Sequence, residues 1–181
     1  MTKSDDRRAL ILDRLADHVL AHGLIASSLR PLARAAQTSD RMLLYYFADK
    51  AEIIAATLEC VAARMVGLMS AHTSPEPLEL DLLIPRITDM LSDAVFWPYM
   101  RIWLEIASRA AGEDAFYRAT GEAIGRGFLS WGGAQIACDD RDREALSARL
   151  LVMIEGTVLL TSIGLAREAR MGLGALNGRL S

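Results

Sequence analysis

The chain has 181 residues, 52% hydrophobic and 24% charged, which is enough for a substantial buried core and too apolar for a disordered chain. The formal net charge of -3 is close to neutral, but the distribution is uneven: residues 1–50 carry eight Lys/Arg against six Asp/Glu, the rest twelve against seventeen, which would suit a small nucleic-acid-facing head on an acidic body. Cys60 and Cys138 stand in no CxxC or CxxH arrangement, which argues against a disulfide framework and fits a reducing compartment.

Helical spacing dominates and no sustained period-two alternation appears, so an all-α protein is expected. A first helix spans roughly residues 7 to 22, with Leu15, Val19 and Leu20 on one side and "HG" at His22-Gly23 as its stop. A short helix follows in "ASSLRPLARAAQ", with Ser28 as N-cap, Pro31 in the first turn, and Leu29, Leu32, Ala33 and Ala36 on a shared face. From Asp49 a long amphipathic helix is predicted, with Glu52 as capping-box partner and Ile54, Leu58, Val61, Met65 and Leu68 as its stripe. Past the linker "TSPEP", helices are expected over Leu82 to Val95 and from Pro98. Two long helices, about Glu113 to Trp131 and about Asp142 to Glu168, close the chain. Gly121, Gly125, Gly127, Ala148, Gly156 and Gly164 in them suggest close helix approach. The run "LLVMIEGTVLLTSIG" is apolar nearly all round and needs cover on both sides, for which a homodimer through these two helices is the natural solution. No apolar run reaches the roughly 18 residues of a membrane helix, and "MTKSDDRRAL" has no signal core, so a cytoplasmic protein with no membrane partner is expected.

The stretch "TSDRMLLYYFADK" is the most informative. Tyr and Phe favour strands intrinsically, but Ser39 can cap a helix from Asp40 to Phe47. At about 100° per residue, Leu43, Leu44 and Phe47 then share an inward sector while Arg41, Met42, Tyr45 and Tyr46 point away. Two short helices joined by Gln37-Thr38-Ser39 match a helix-turn-helix in size and pattern, the second being the recognition helix. Arg41 can fork to guanine, a tyrosine can pack on sugar or thymine methyl while its hydroxyl bonds phosphate, and Lys50 can reach a phosphate. Taken singly, these residues are equally ordinary caps, solvated charges or partial packing under a neighbouring helix.

Together they resemble the DNA-binding domain of the TetR family of bacterial transcriptional regulators, from about Ile11 to Leu58. Ser28, Leu32-Ala33, Ala36, Ser39, Leu43, Tyr45-Tyr46-Phe47, Lys50 and Glu52 fit that family's order of residues. The resemblance implies a three-helix helix-turn-helix head over residues 1–50. A long helix would join it to a helical-bundle body over 51–181 that binds an effector and dimerises. It also implies Ser28, Ser39, Asp40, Arg41, Met42, Tyr45, Tyr46 and Lys50 as the DNA-facing set, on a palindromic double-stranded operator released when a small molecule binds. Two positions depart from the pattern. Gln37 stands where the turn usually has glycine, at a cost on the order of 1 to 2 kcal/mol if it is left-handed. Leu44 stands where many members have a phosphate-binding tyrosine, a contact therefore absent here or moved to Tyr45 or Tyr46.

In the body, Met65, Met69, Phe96, Trp97, Met100, Trp103, Leu104, Phe116, Tyr117 and Phe128 are the candidates to line an effector site, although Met and Trp at helical spacing equally serve a core. Glu155, inside the apolar last helix, reads as an interface or pocket carboxylate, or as a bonded structural acid. No catalytic residue, metal or cofactor is expected. His18, His22 and His72 lack metal-ligand spacing or a partner nucleophile, and "GRGFLS" and "GLGALN" lack the third glycine and preceding strand of a dinucleotide loop. The alternative to a DNA-binding regulator is a helical small-molecule or lipid binding protein that does not bind DNA.

Overall fold

A computed structural model describes residues 3–24 and 28–177. Among the described residues the regular structure is entirely helical, apart from one isolated bridge, and the chain divides into two compact units, Met1–Ala71 and His72–Ser181.

The first unit holds α1 (Lys3–His22), α2 (Leu29–Ala35), α3 (Asp40–Tyr46) and α4 (Lys50–Ala71). Helix α1 starts earlier than residue 7, with Asp5 and Asp6 in its first turn, where acidic side chains favour the positive end of the helix dipole. It ends as expected at Gly23, whose φ of 81° an L side chain would resist. Helices of seven residues such as α2 and α3 are not stable alone, so packing must hold them. Their anchors Leu32, Ala33, Ala36, Leu43 and Phe47 are buried, as are Ile11, Leu15 and Val19 of α1 and Ile53, Ile54, Leu58 and Val61 of α4. Helix α4 packs along α1, and the compact division falls after α4. Arg64 of α4 fastens the pair, reaching Asp17 at 2.7 Å and the Asp13 carbonyl at 2.9 Å.

The second unit holds α5 (Leu80–Ser92), α6 (Trp97–Ala111), α7 (Ala115–Ala134), α8 (Asp140–Ser162) and α9 (Ala166–Asn177). Pro85 lies inside α5 and Pro98 in the first turn of α6. The single helix expected over Asp142 to Glu168 is in fact two. Gly164, at φ 89°, is the left-handed residue of a Schellman stop in which Leu165 N donates to Leu160 O and Gly164 N to Thr161 O. It therefore turns the chain rather than serving close helix approach. That service falls to Gly132 and Gly133: a Cβ there would meet Leu150 Cδ2 at 2.9 Å and Ser147 Oγ at 2.5 Å. At Gly125, Gly127 and Gly156 a Cβ would meet nothing within 4 Å, and at Gly121 only ordinary contacts.

The linker before α5 is pinned to the α7–α8 loop. Leu78 N donates to Gln135 O and Ala137 N to Leu78 O, both at 2.8 Å. Arg143 of α8 satisfies three carbonyls of that loop region, Gly133, Ile136 and Cys138, at 2.8, 3.2 and 3.1 Å.

No unbroken apolar run reaches the length of a membrane helix, although α4 and α8 are long and apolar enough to cross a membrane by length and average composition. Each nonetheless buries one face within its own unit, through Ile54, Leu58 and Val61 in α4 and Leu150, Ile154 and Val158 in α8, as core helices do.

Candidate functional site

The first unit offers a short helix held rigidly and presented outward. The chain leaves α2 through a Schellman motif in which Thr38 N donates to Ala33 O and Gln37 N to Arg34 O, with Gln37 left-handed at φ 53°. Arg14 of α1 donates to Ala36 O at 3.1 Å and ties this turn to its neighbour. Ser39 then caps α3, its hydroxyl accepting from Met42 N at 3.2 Å. Ser28 occupies the N-cap of α2 with extended backbone, but its side chain makes no capping bond and is exposed. Helix α3 stops at Phe47, whose backbone is already extended. Its far end is fixed because Arg8 lies over the Phe47 ring, 4.8 Å from the centroid, and 3.8 Å from Glu52. Asp49 and Glu52 form the expected capping arrangement with a one-residue shift: Asp49 accepts from Glu52 N, and Glu52 accepts from Ala48 N rather than from the cap residue itself.

The inward face of α3 is narrower than the sequence suggests. Leu43 and Phe47 are fully buried, but Leu44 is 46% exposed and does not dock inward. Arg41, Met42 and Tyr45 are exposed, Tyr45 at 73%, while Tyr46 is half-buried with its ring 5.1 Å from that of Tyr45, edge to face. The two tyrosines are thus unequal: Tyr45 stands at the centre of the outward face and Tyr46 at its shoulder. Asp40 is half-buried at the start of α3, and Lys50 is exposed at the start of α4.

The effector candidates fall in both units. Met65 and Met69 belong to α4 of the first, half-buried and buried. In the second, Trp97, Met100, Trp103 and Leu104 lie half-buried on α6, Phe96 is core, and Phe116 and Phe128 lie on α7. Phe116 is exposed and packs edge to face on buried Tyr117, while Phe128 packs on Trp131, a residue the sequence reading passed over. The informative member is Trp103, whose indole Nε1 donates to Glu155 of α8 at 2.7 Å. Burial raises the Glu155 pKa above the usual carboxylate range and the indole bond partly opposes the shift. Glu155 is therefore a bonded acid joining α6 to α8.

No family model matches the chain, and no curated protein matches it significantly. Among solved structures, a transcriptional regulator from Rhodococcus sp. Rha1 is similar with a TM-score of 0.71 and 17% identity, over 98% of this chain and 95% of that one. Salmonella enterica GusR is similar with a TM-score of 0.67 and 18% identity, over 99% and 96%. The multidrug binding protein EbrR, complexed with imidazole, gives a TM-score of 0.64 and 22% identity, over 94% of each chain. At these identities the likeness is one of fold alone.

Proposed function

We propose that the chain is a transcriptional regulator rather than an enzyme, a cytoplasmic homodimer that binds a palindromic double-stranded operator with α3 and releases it when a small molecule binds the second unit. The observation that carries this reading is α3 itself. A seven-residue helix is capped by Ser39 and pinned by Leu43 and Phe47, and it gives Arg41, Met42, Leu44 and Tyr45 to solvent. A fold that merely needed a third head helix would not require an arginine and a tyrosine side by side on its outer face. Sequence preference would come from Arg41, Met42, Tyr45 and Tyr46. Positioning on the backbone would come from Ser28 and Lys50, with Ser39 and Asp40 ordering the first turn. Half-sites about 34–36 Å apart would place one α3 of each protomer in successive major grooves.

Ligand response is supported by the half-buried Trp and Met residues of α6 and by the likeness in fold to a multidrug binding protein. Coupling requires only that the small molecule prefer one arrangement of the dimer over the other.

Selection of bound sites from random DNA with the full chain tests the proposal directly. The expected result is an inverted repeat bound with an affinity that falls steeply as salt rises. Arg41→Ala should relax base preference, and Lys50→Ala should weaken binding to all sequences alike. A log K against log salt slope near zero would overturn the DNA reading and favour a helical carrier.

A further inference from the structure

The outward face of α3 contains more apolar surface than a phosphate-binding helix needs. At about 100° per residue the exposed residues run in the order Leu44, Arg41, Tyr45, Met42 around the helix, so Arg41 and Tyr45 form a central polar strip with an aliphatic side chain on each flank. Leu44 is 46% and Met42 40% exposed. Neither side chain can donate a hydrogen bond to a phosphate, and burying either against charged oxygens would gain nothing. The same helix buries Leu43 and Phe47 fully, so the head had apolar partners available and left these two out.

Double-stranded DNA offers few apolar groups that a helix in the major groove can reach. The chief one is the 5-methyl of a pyrimidine, carried by thymine or by 5-methylcytosine. Resting on the DNA-binding reading above, we infer that Leu44 and Met42 are specificity-determining residues that read pyrimidine 5-methyl groups on either side of the base contacted by Arg41. Half-site recognition is then partly apolar: Arg41 selects its base by hydrogen bonding, and the two flanks select methylated over unmethylated pyrimidines by burial. The backbone beneath both side chains favours this role, because the Ser39 cap and buried Phe47 hold the two ends of α3, so only side-chain freedom is lost on docking.

The test uses the full chain and the operator found by site selection. Each thymine is replaced in turn by deoxyuridine, which removes only the methyl, and affinity is read by fluorescence anisotropy. At one or two positions per half-site the wild type should lose about fourfold, the affinity worth of one buried methyl. Leu44→Ala should erase the discrimination at one such position and Met42→Ala at the other, each leaving the salt slope unchanged. Leu44→Gln, which keeps the bulk, should also erase it. Both side chains are exposed, so the variants should melt with the wild type. Replacing the sensitive thymine by cytosine and by 5-methylcytosine tests the methyl in a second base: tighter binding of 5-methylcytosine than of cytosine assigns the contact to the methyl itself, whereas equal binding of the two overturns it. Salt-dependent operator binding that is indifferent to every deoxyuridine, or discrimination that survives Leu44→Ala and Met42→Ala, overturns this inference and leaves the DNA reading standing. Failure to bind any DNA overturns both.

Discussion

Gln37 carries a conformational cost that the head tolerates for the sake of its turn. A side chain with a Cβ at φ 53° sits in the left-handed region, which costs about 1–2 kcal/mol relative to the ordinary helical region. Glu113 repeats the situation at the end of α6: at φ 67° it occupies the left-handed place of a Schellman stop, with Gly112 one position too early to relieve it. Gln37→Gly and Glu113→Gly should each stabilise the protein by about 1 kcal/mol in urea denaturation, less the extra entropy glycine gives the unfolded chain. A second residue-scale prediction concerns Glu155. Its folded-state pKa is raised, chiefly by burial, so the folded state holds its proton to higher pH than the unfolded state does. Stability from this group is fully present below the usual carboxylate pKa and is lost as pH rises through the raised value. Melting temperatures of the wild type should therefore fall relative to those of Glu155→Gln as pH rises from the ordinary carboxylate pKa of about 4.3 through the raised value. Parallel profiles would show that the carboxylate keeps its ordinary pKa. At this scale the strain at Gln37 was legible through the resemblance, because Gln37 stands where that turn usually has glycine, and the residue is indeed left-handed. The sequence did not disclose the exposure of Leu44, since periodicity assigns a sector but not its width, and a seven-residue helix docks through only two side chains.

Helices α7 and α8 approach closely where they cross, and there glycine is required by contact rather than by conformation. A Cβ on Gly133 would lie 2.5 Å from Ser147 Oγ, and that hydroxyl is already committed to the Arg143 carbonyl at 2.6 Å. Overpacking of this kind costs about 1–3 kcal/mol, offset by about 1 kcal/mol of helix propensity. Gly133→Ala should thus lower stability by up to about 2 kcal/mol, and Ser147→Ala in the same chain should restore most of it. Thermal melts of the two single variants and the double variant measure the coupling, and additive losses would place the clash elsewhere. The crossing was legible only in outline, as an excess of small residues in both helices. Which glycines touch depends on the crossing geometry, and that is fixed by Leu150, Ser147 and Arg143 together. The division between α8 and α9 was hidden for a related reason. Apolar residues continue on both sides of Gly164, so the helical period runs straight through the stop. The visible signal was Gly164 followed by apolar Leu165, the sequence pattern of a Schellman motif.

For the whole molecule, the question is what covers α8. Val152, Leu159 and Ile163 are 71%, 52% and 62% exposed, and with Gly156 they recur at the spacing of one helical face. A Cβ on Gly156 would meet nothing in this chain, so the smallest residue of the face lies where a neighbouring backbone could come closest. Fully burying side chains of this size is worth about 1.5–3 kcal/mol each, and in the proposed homodimer a two-fold axis would double the count because each protomer would contribute the same face. Leu159→Glu would set like charges together across that axis and leave them desolvated. It should convert a dimer to a monomer in sedimentation velocity while leaving the helical circular dichroism unchanged, since Leu159 supports little of the protomer's own core. If the operator is palindromic, the same variant should bind a full site no more tightly than a half-site, because the second α3 is then no longer tethered to the first. A Leu159→Glu protein that stays dimeric would move the interface to another surface, and a wild type that is monomeric at micromolar concentration would remove it altogether.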